Sequence, residues 1–247
     1  MKKFDVLGTK IDLVTLSDVL DFVDEAVLKK RKTQIATVNN EFIVEAQKND
    51  EFKEVLRNSS LAVADSTGVV KAVKYLHGEE IERIPGADLF MEICKRAAKK
   101  GHRIYLLGGK NGVAQKAKDH LLKLYRYLHV VGLKDGIYIS GESDNSKIIQ
   151  DINRTKPDIL FVGLGAPKQD IWINHNLEKL SCYVFIGVGG SLDYASNTIR
   201  RAPKAMREAG LEWLFRLIVQ PKRIGRIFKA TVVFPYLVFK SKTRVND

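Results

Sequence analysis

The chain alternates short, unbroken apolar runs with longer amphipathic stretches, and this alternation is the feature that most limits its fold. The apolar runs include TQIATV at 33–38, LAVAD at 61–65 and DILFVGLG at 158–165. Continuous runs of this kind are typical of parallel strands that are buried on both faces of a sheet. With amphipathic helices between them, they predict a doubly wound α/β fold, a mostly parallel sheet with helices on both faces.

Other segments extend this pattern along most of the chain. KFDVLGTKIDLV near the start predicts a small hairpin beside the sheet. Further strands are predicted at RIYLLGG (103–109), YLHVVG (127–132) and YVFIGVGG (183–190). Helices are predicted from about Glu41, at TGVVKAVKYL (67–76), GADLFMEICKRAAKK (86–100), GVAQKAKDHLLKLY (112–125) and SDNSKIIQDINRT (143–155), and from about Lys168.

The positive charge of the chain is concentrated near its end. The net charge is +12, and residues 200–247 carry 12 of the 41 Lys and Arg but only 3 of the 29 Asp and Glu. In this tail Leu211, Leu214, Phe215 and Ile218 have the spacing of one helix face, and Pro221 interrupts the pattern. We therefore divide the chain into an α/β catalytic domain at 1–199 and a basic, apolar helical appendage at 200–247.

Two readings of the appendage stay open at this point. A C-terminal helix docked on the core explains the apolar stripe, with the Lys and Arg side chains merely solvated. An amphipathic segment lying on an anionic membrane explains both the stripe and the charge. Under the second reading the appendage would also complete a binding site in the body if the ligand is a diphosphate, since arginine side chains suit such groups.

Several classes of protein are disfavoured by what the sequence contains. Two cysteines, Cys94 and Cys182, do not make a disulfide framework. The first residues lack the apolar core of a signal peptide, and no run reaches the roughly 18 apolar residues of a membrane span. We expect a cytoplasmic protein, peripheral on the inner face of the membrane. No nicotinamide or P-loop fingerprint is present.

Metal-binding patterns are also missing from the sequence. It contains no D-x-D pair and no H-E-x-x-H, and its five histidines are scattered. We therefore expect no metal and no cofactor. Any diphosphate handled here would be neutralised by other cations.

Unusual polar and glycine residues follow the predicted strands. Ligands of open α/β sheets bind beyond the carboxyl ends of the strands, where glycines let backbone N–H groups approach an anion. For Asn39, Asn40, Asp65 or Ser66 taken singly, capping of the next helix is the favoured role. Their joint occurrence favours a site for a phosphate-bearing ligand. The segments concerned are Thr37–Asn40, Asp65–Gly68, Gly108–Gly112, Gly163–Gln169 and Gly187–Asp193.

These motifs occur together, and in the same order, in a known family. TVNNEFIVEAQ, VADSTGVVKA, RIPGADL, YLLGGKNGVAQKA, FVGLGAPKQDIWI and GVGGSLDYASNTIRRAP resemble the WecG/TagA/CpsF glycosyltransferases over roughly residues 3–225. The resemblance implies a Rossmann-like fold and an inverting, metal-independent transfer. In the teichoic-acid branch, N-acetylmannosamine passes from a UDP donor to the 4-hydroxyl of N-acetylglucosamine on polyprenyl (undecaprenyl) diphosphate. The product would be the linkage-unit disaccharide of wall teichoic acid.

The resemblance also assigns roles to particular residues. Asp65 would be the general base, and Thr37 would be catalytic beside it. Asn39 would line the substrate pocket, and Arg83 would pair with phosphate. Nucleotide or sugar would bind Gln169 and the GVGG loop with Gly187 and Gly189. To these we add the tail arginines Arg216, Arg223 and Arg226 as candidates for diphosphate.

Four residues depart from the family pattern. Ser66, Asp170, Leu192 and Asn197 stand where Gly, Glu, Phe and Gly are frequent. The departures leave the reaction class unchanged but bear on the donor, so transfer of a different N-acetylated or uronic sugar stays an alternative. A non-catalytic scaffold at the membrane is a separate alternative, which the presence of Asp65, Thr37 and Gln169 disfavours. The expected partners are a UDP-sugar, the lipid-linked acceptor and an anionic membrane surface, with self-association through the tail. A nucleic-acid partner would leave the glycine-rich strand ends unexplained.

Overall fold

The computed structural model describes residues 1–135 and 142–243. Its centre is a six-stranded parallel sheet in the order β4-β3-β8-β7-β5-β6, and a separate antiparallel hairpin, β1-β2, stands beside it. This is the α/β architecture that the alternating sequence predicts. The strands are β1 Lys3–Val6, β2 Thr9–Asp12, β3 Thr33–Val38, β4 Leu61–Ala64, β5 Arg103–Gly108, β6 His129–Lys134, β7 Ile159–Gly163 and β8 Val184–Gly187.

Helices connect the strands and continue past the last one. A π-helical turn, Lys229–Val233, joins the final two helices. The helices are α1 Leu16–Leu28, α2 Asn40–Ala46, α3 Asp50–Asn58, α4 Thr67–His77, α5 Gly86–Lys100, α6 Val113–Leu124, α7 Glu142–Thr155, α8 Lys168–Asn176, α9 Ser191–Ala195, α10 Lys204–Glu208, α11 Glu212–Val219, α12 Ile224–Phe228 and α13 Phe234–Thr243.

Both faces of the sheet are covered, which explains why its strands read as continuous apolar runs. Neighbouring residues of β7 point to opposite cores: Phe161 packs with α1, α5 and α6, whereas Leu160 packs with α7 and α8. A third cluster lies under α2 and α4. Because nearly all positions of the inner strands are buried on one side or the other, little polar alternation is left in the sequence.

The structure differs from the sequence prediction in a few elements. The helix predicted from about Glu41 is two helices, α2 and α3, and β6 begins two residues later than predicted. Helix α1 was not predicted. Its signal is a capping box in which Thr15 and Asp18 exchange hydrogen bonds. The hairpin is joined to the sheet by Asp12, whose Oδ2 accepts from the backbone N–H of Ala62 at 2.8 Å.

The tail is partly docked on the body. No residue of α11 is buried, but Phe234 and Val238 of α13 lie inside the core cluster under α2 and α4. The Asn40 side chain donates to the carbonyl of Ala230 at 2.7 Å. Docking on the core thus explains the apolar residues of α13 but not those of α11. In the described ranges, no helix is long and apolar enough to cross a membrane.

Two phenylalanines of α13 test how much this docking stabilises the body. Phe234 is 2% exposed and Phe239 is 59% exposed. Because Phe234 fills a core position, Phe234→Ala should lower the free energy of unfolding by about 3–5 kcal/mol. Phe239→Ala should change it by less than about 0.5 kcal/mol. Urea denaturation of both variants measures the difference, and equal small effects would mean that the tail is only loosely attached.

Candidate active site

A cleft of about 1090 Å³ lies at the carboxyl edge of the parallel sheet. Loops that follow the strands form its floor, and residues of the tail form one wall. The structure brings all the sequence-predicted site residues to this cleft, although their chemical roles remain predictions. They are Thr37, Asn39, Asp65, Arg83, Gln169, Gly187, Gly189, Arg216, Arg223 and Arg226.

Asp65 is held at the end of β4 by two polar contacts. The backbone N–H of Gly86, at the start of α5, donates to its Oδ1 at 2.6 Å. The Asn39 amide is 3.4 Å from its Oδ2. Burial raises the pKa of this carboxyl, while the Gly86 hydrogen bond and the charge of Arg216 oppose the rise. The residue stays partly exposed and lines the cleft, and the long Asn39 contact is the one protein hydrogen bond found for Oδ2 among the described residues.

The neighbours of Asp65 shape the cleft through hydrogen bonds of their own. The Thr37 hydroxyl is largely buried and donates to the carbonyl of Gly187 at 3.3 Å. Asn39 caps α2, accepting from the N–H of Phe42 at 3.2 Å, and Ser66 caps α4. The capping role that sequence alone suggested is therefore confirmed for Asn39 and Ser66, and Asn39 also faces Asp65.

Gln169 ties two glycine loops together. Its Oε1 accepts from the backbone N–H of Gly165 at 3.1 Å and of Gly189 at 2.9 Å. A Cβ on Gly187 would stand only 2.5 Å from Gln169 Nε2, so the side chain and the loop can approach this closely only because residue 187 is glycine. Gln169 acts at least as the support of the loop that lines the cleft.

The three tail arginines have different partners. Arg216 pairs with Glu212 at 2.9 Å and lies over the ring of Tyr194, 5.2 Å from its centroid. Arg226 makes two contacts with Glu41, at 2.7 and 2.6 Å.

Arg223 differs from both of them. Among the described residues it has neither an ion pair nor a side-chain hydrogen bond. Burial and the nearby charges of Arg226 and Arg216 lower its pKa. Of the three arginines, Arg223 is therefore the one whose charge is least neutralised by the protein.

Arg83 was predicted to pair with phosphate, but one of its terminal nitrogens already has protein partners. Its Nη1 donates to Thr67 Oγ1 and to the carbonyl of Arg207, both at 3.2 Å. Arg83 lines the cleft, and both of these hydrogen bonds are made by Nη1. The pairing with phosphate stays a prediction.

Sequence reasoning missed several residues of the cleft. Their motifs were visible in the chain, but nothing local showed that they would meet. In the described part of the chain, no group of three or more His, Cys, Asp or Glu is arranged to hold a metal ion. Arg201, Glu212 and Trp213 were missed, whereas Lys110, Lys168 and Asp193 lie within strand-end segments that the sequence already predicted to form the site.

Similarity to known proteins identifies the family of this chain. The model of the glycosyl transferase WecG/TagA/CpsF family matches residues 4–247. The chain belongs to this family. It is 33% identical over 246 residues to the N-acetylglucosaminyldiphosphoundecaprenol N-acetyl-beta-D-mannosaminyltransferase of Staphylococcus aureus strain NCTC 8325 / PS 47. The match covers 99% of this chain and 95% of that protein, and the enzyme of strain MW2 matches equally well.

The structure accounts for two residues that depart from the glycosyltransferase pattern. Asn197 has φ +55°, in the left-handed region that Asn tolerates better than most residues and Gly adopts freely. Ser66 caps α4 and also donates to the Asn40 side chain at 2.7 Å, so it supports the residue that holds the tail at Ala230.

Asp170 is the most unusual side chain beside the site. It is 0% exposed, and neither carboxylate oxygen has a hydrogen-bond partner in the described chain. Burial raises the pKa of Asp170 to about 7 from an ordinary 3.8. The folded protein therefore holds this proton more tightly than the unfolded chain does.

This difference predicts how stability depends on pH. The contribution of Asp170 is fully present below about pH 4 and is lost as pH rises through about 7. Asp170→Asn cannot ionise, so at pH 8 it should be more stable than wild type by about 2–4 kcal/mol. Denaturant unfolding at pH 5, 6.5 and 8 measures the slope. Asp21→Asn, at an exposed position, should keep the wild-type slope, and an unchanged slope in Asp170→Asn would contradict the assignment.

Proposed function

We propose that the chain transfers N-acetylmannosamine from its UDP donor to the 4-hydroxyl of N-acetylglucosamine on polyprenyl diphosphate. The observation that carries the proposal is the meeting of a buried, hydrogen-bonded carboxylate, Asp65, with tail arginines in one cleft of a glycosyltransferase. The similar proteins of Staphylococcus aureus are named for transfer of N-acetyl-beta-D-mannosamine to N-acetylglucosaminyldiphosphoundecaprenol. The product proposed here is the linkage disaccharide of wall teichoic acid.

Asp65 would remove the proton of the acceptor hydroxyl as that oxygen attacks the anomeric carbon. The bond from the sugar to the UDP oxygen breaks on the opposite face, and the configuration inverts. The N–H of Gly86 holds Oδ1 in place, so Oδ2 presents a lone pair in a fixed direction. A carboxylate whose pKa is raised by burial is a stronger base than a solvated one, provided that it is ionised at the working pH.

The departing diphosphate needs positive charge in the transition state. Arg223 supports this role best, because it lies in the cleft without a counter-ion among the described residues. Arg216 supplies charge close to Asp65, and the Glu41 carboxylate must share Arg226 with any ligand. Planar guanidinium groups bind diphosphate oxygens in a bidentate manner. Fixed cations in a desolvated cleft would thus neutralise the departing diphosphate, as a bound metal does in other transferases.

The acceptor carries a lipid chain, and the outer face of the tail suits a bilayer. Ile224, Phe228, Val232 and Tyr236 recur every four residues and are all at least half exposed, so they share a face away from the buried Phe234 and Val238. Lys222 and Lys240 flank these residues in the sequence and are exposed, whereas Lys229 lies 3.6 Å from Glu45 of the body. We place this face in the headgroup region of an anionic membrane, where each basic residue contributes about 1 kcal/mol.

A transfer assay tests the whole proposal. UDP-N-acetylmannosamine and a short-chain polyprenyl diphosphate bearing N-acetylglucosamine should give a disaccharide with an inverted anomeric centre. UDP-N-acetylglucosamine and a uronic counterpart should react at least tenfold more slowly. Preference for one of these donors would identify a different sugar transferase. No transfer with any of the three would favour the scaffold.

The role of Asp65 predicts a specific defect. Asp65→Asn keeps the shape and the Gly86 contact but removes the base. Turnover on the short-chain acceptor should fall about 10²–10⁴-fold. Calorimetric UDP binding should change little, because the donor does not need the base. Near-normal turnover in this variant would reject Asp65 as the base.

The role of Arg223 can be separated from anchoring by a soluble acceptor. Arg223→Gln should lower turnover on the short-chain acceptor about 10²–10³-fold, the effect of losing one fixed electrostatic contact. The adjacent Lys222→Gln makes the same change of charge at an exposed position outside the cleft. It should keep turnover within about twofold. Equal effects of the two variants would mean that the tail acts only through its overall charge.

Membrane attachment predicts a complementary result. Ile224→Ser with Phe228→Ser should weaken binding to vesicles of 30% phosphatidylglycerol, yet turnover on the soluble acceptor should stay near wild type. Vesicle binding should fall to about one fifth of the wild-type level or less, because the variant loses two apolar anchors, each contributing about 1.5–3 kcal/mol when fully buried. Leu124→Ser with Tyr127→Ser alters two exposed residues of the body and should bind vesicles normally. Unchanged sedimentation of the tail variant would refute the placement.

A further inference from the structure

The segment that connects the body to the tail runs along the cleft. We call residues 199–211 the strap; it begins after α9 and ends at α11, which carries Arg216. Two of its residues, Arg201 and Gly210, line the cleft. Since α11 buries no residue of its own, the position of Arg216 depends on how the strap is held.

One acidic side chain of the body, Asp88, binds the strap through an ion pair. Asp88 lies in the first turn of α5, and its two oxygens accept from both terminal nitrogens of Arg201, the second contact being 2.8 Å. Arg207, further along the strap, has Nη1 3.8 Å from Asp88 Oδ1. A bidentate arginine–carboxylate pair fixes both distance and orientation.

Two weaker contacts hold the far end of the strap. Arg83 donates to the carbonyl of Arg207 and at the same time to Thr67 at the start of α4. Gly210 lies against the same threonine, since a Cβ there would stand 3.3 Å from Thr67 Oγ1. Gly210 has φ +73°, a conformation in which a side chain would be strained. These contacts set the direction in which the chain enters α11.

The residues that hold the strap belong to the same short motif as the group that holds Asp65. In RIPGAD, Arg83 binds the strap carbonyl, the Gly86 N–H binds the Asp65 carboxylate, and Asp88 binds Arg201. Gly86 and Asp88 are in one helical turn. The Asp65 carboxylate and the strap are therefore both held by the first turn of α5, although they lie far apart in sequence.

We propose that Asp88 is a positioning residue: by fixing the strap through Arg201, it sets the place of Arg216 beside Asp65. The proposal rests on the proposed function of this cleft and adds a residue to which that function gives no role. Asp88 does not line the cleft, so it acts through Arg201 and the strap. Loss of its charge would leave Arg201, whose Nε already lacks a partner, without its counter-ion, and such a group favours solvent over its place in the cleft.

The test compares Asp88→Asn with a matched control. Asp24→Asn removes the same charge from another interhelical pair, in which Arg96 Nε lies 2.7 Å from Asp24 at the other end of α5. In Asp88→Asn, kcat on the short-chain acceptor should fall at least tenfold while UDP affinity stays within about threefold. In Asp24→Asn both should stay near wild type. Hydrogen exchange should accelerate in residues 199–219 of the Asp88 variant only.

The pH profile gives a readout that a general loss of stability would not produce. Asp65 is faced by the Gly86 N–H and Asn39 from the body and by Arg216 and Glu212 from α11, and Arg216 has the larger of the two charge effects. If α11 moves away, the acid limb of kcat should shift to higher pH. Arg216→Gln should show the same shift, and adding Asp88→Asn to it should change kcat by less than about threefold. Asp88→Glu, which keeps the charge, should recover part of the activity.

The outcomes separate the two proposals. If wild type transfers sugar but Asp88→Asn leaves kcat, the acid limb or the exchange of residues 212–219 unchanged, the positioning role is wrong and the function stands. If wild type transfers no sugar, the proposed function fails, and exchange of residues 212–219 alone then decides whether Asp88 fixes α11. If Asp88→Asn does not fold, Arg201→Gln breaks the same pair from the strap, with the same expected results.

Discussion

Parallel pairing of β3 with β4 and β8 is the constraint on which the site depends. Parallel strands end at the same edge of a sheet, so the loops after Val38, Ala64 and Gly187 must meet there. The Thr37 hydroxyl reaches the carbonyl of Gly187 across this edge. Asp65, one residue beyond β4, is thereby placed among backbone groups that water reaches poorly. Its raised pKa follows from this position.

The tail adds to this edge what the body lacks. The body supplies the carboxylate and the glycine loops, whereas the tail contributes Arg216, Arg223 and Arg226 to the same cleft. It is attached to the body at several points, which include Phe234 and Val238 in the core, Asn40 at Ala230, and the strap at Asp88 and Arg83. Helix α11 spans the interval with no buried residue. The arginines proposed to neutralise diphosphate and the apolar face proposed to meet the membrane thus belong to one segment, in which α11 is only lightly packed.

This arrangement would link transfer to the membrane surface. The exposed apolar face of α12 and α13 lies opposite the residues that dock on α2 and α4. A bilayer under that face would bring a lipid-linked acceptor to the cleft from the side of the tail arginines. The ion pair between Arg226 of α12 and Glu41 of α2 connects the tail to the body beside this cleft.

The sequence by itself determined the α/β class, most strands and helices, and the set of polar residues at the strand ends. It could do so because burial on both faces of a parallel sheet leaves a local signature, and because motif spacing is a property of the chain. Helix α1 and the division into α2 and α3 were missed, although caps at Thr15 and Asn49 and the apolar spacing of the residues that follow both mark them in the sequence.

Only the tertiary structure decided which partners these residues have. Asn39 faces Asp65, Arg226 is engaged by Glu41, and Asp88 grips Arg201 across 113 positions of sequence. No local pattern encodes such pairs, because they depend on where the strap and the tail return to the body. The unpartnered carboxyl of Asp170 was equally invisible, since burial on all sides is a result of packing. Chain order determined what the edge of the sheet contains, and packing determined which charges there remain available to a ligand.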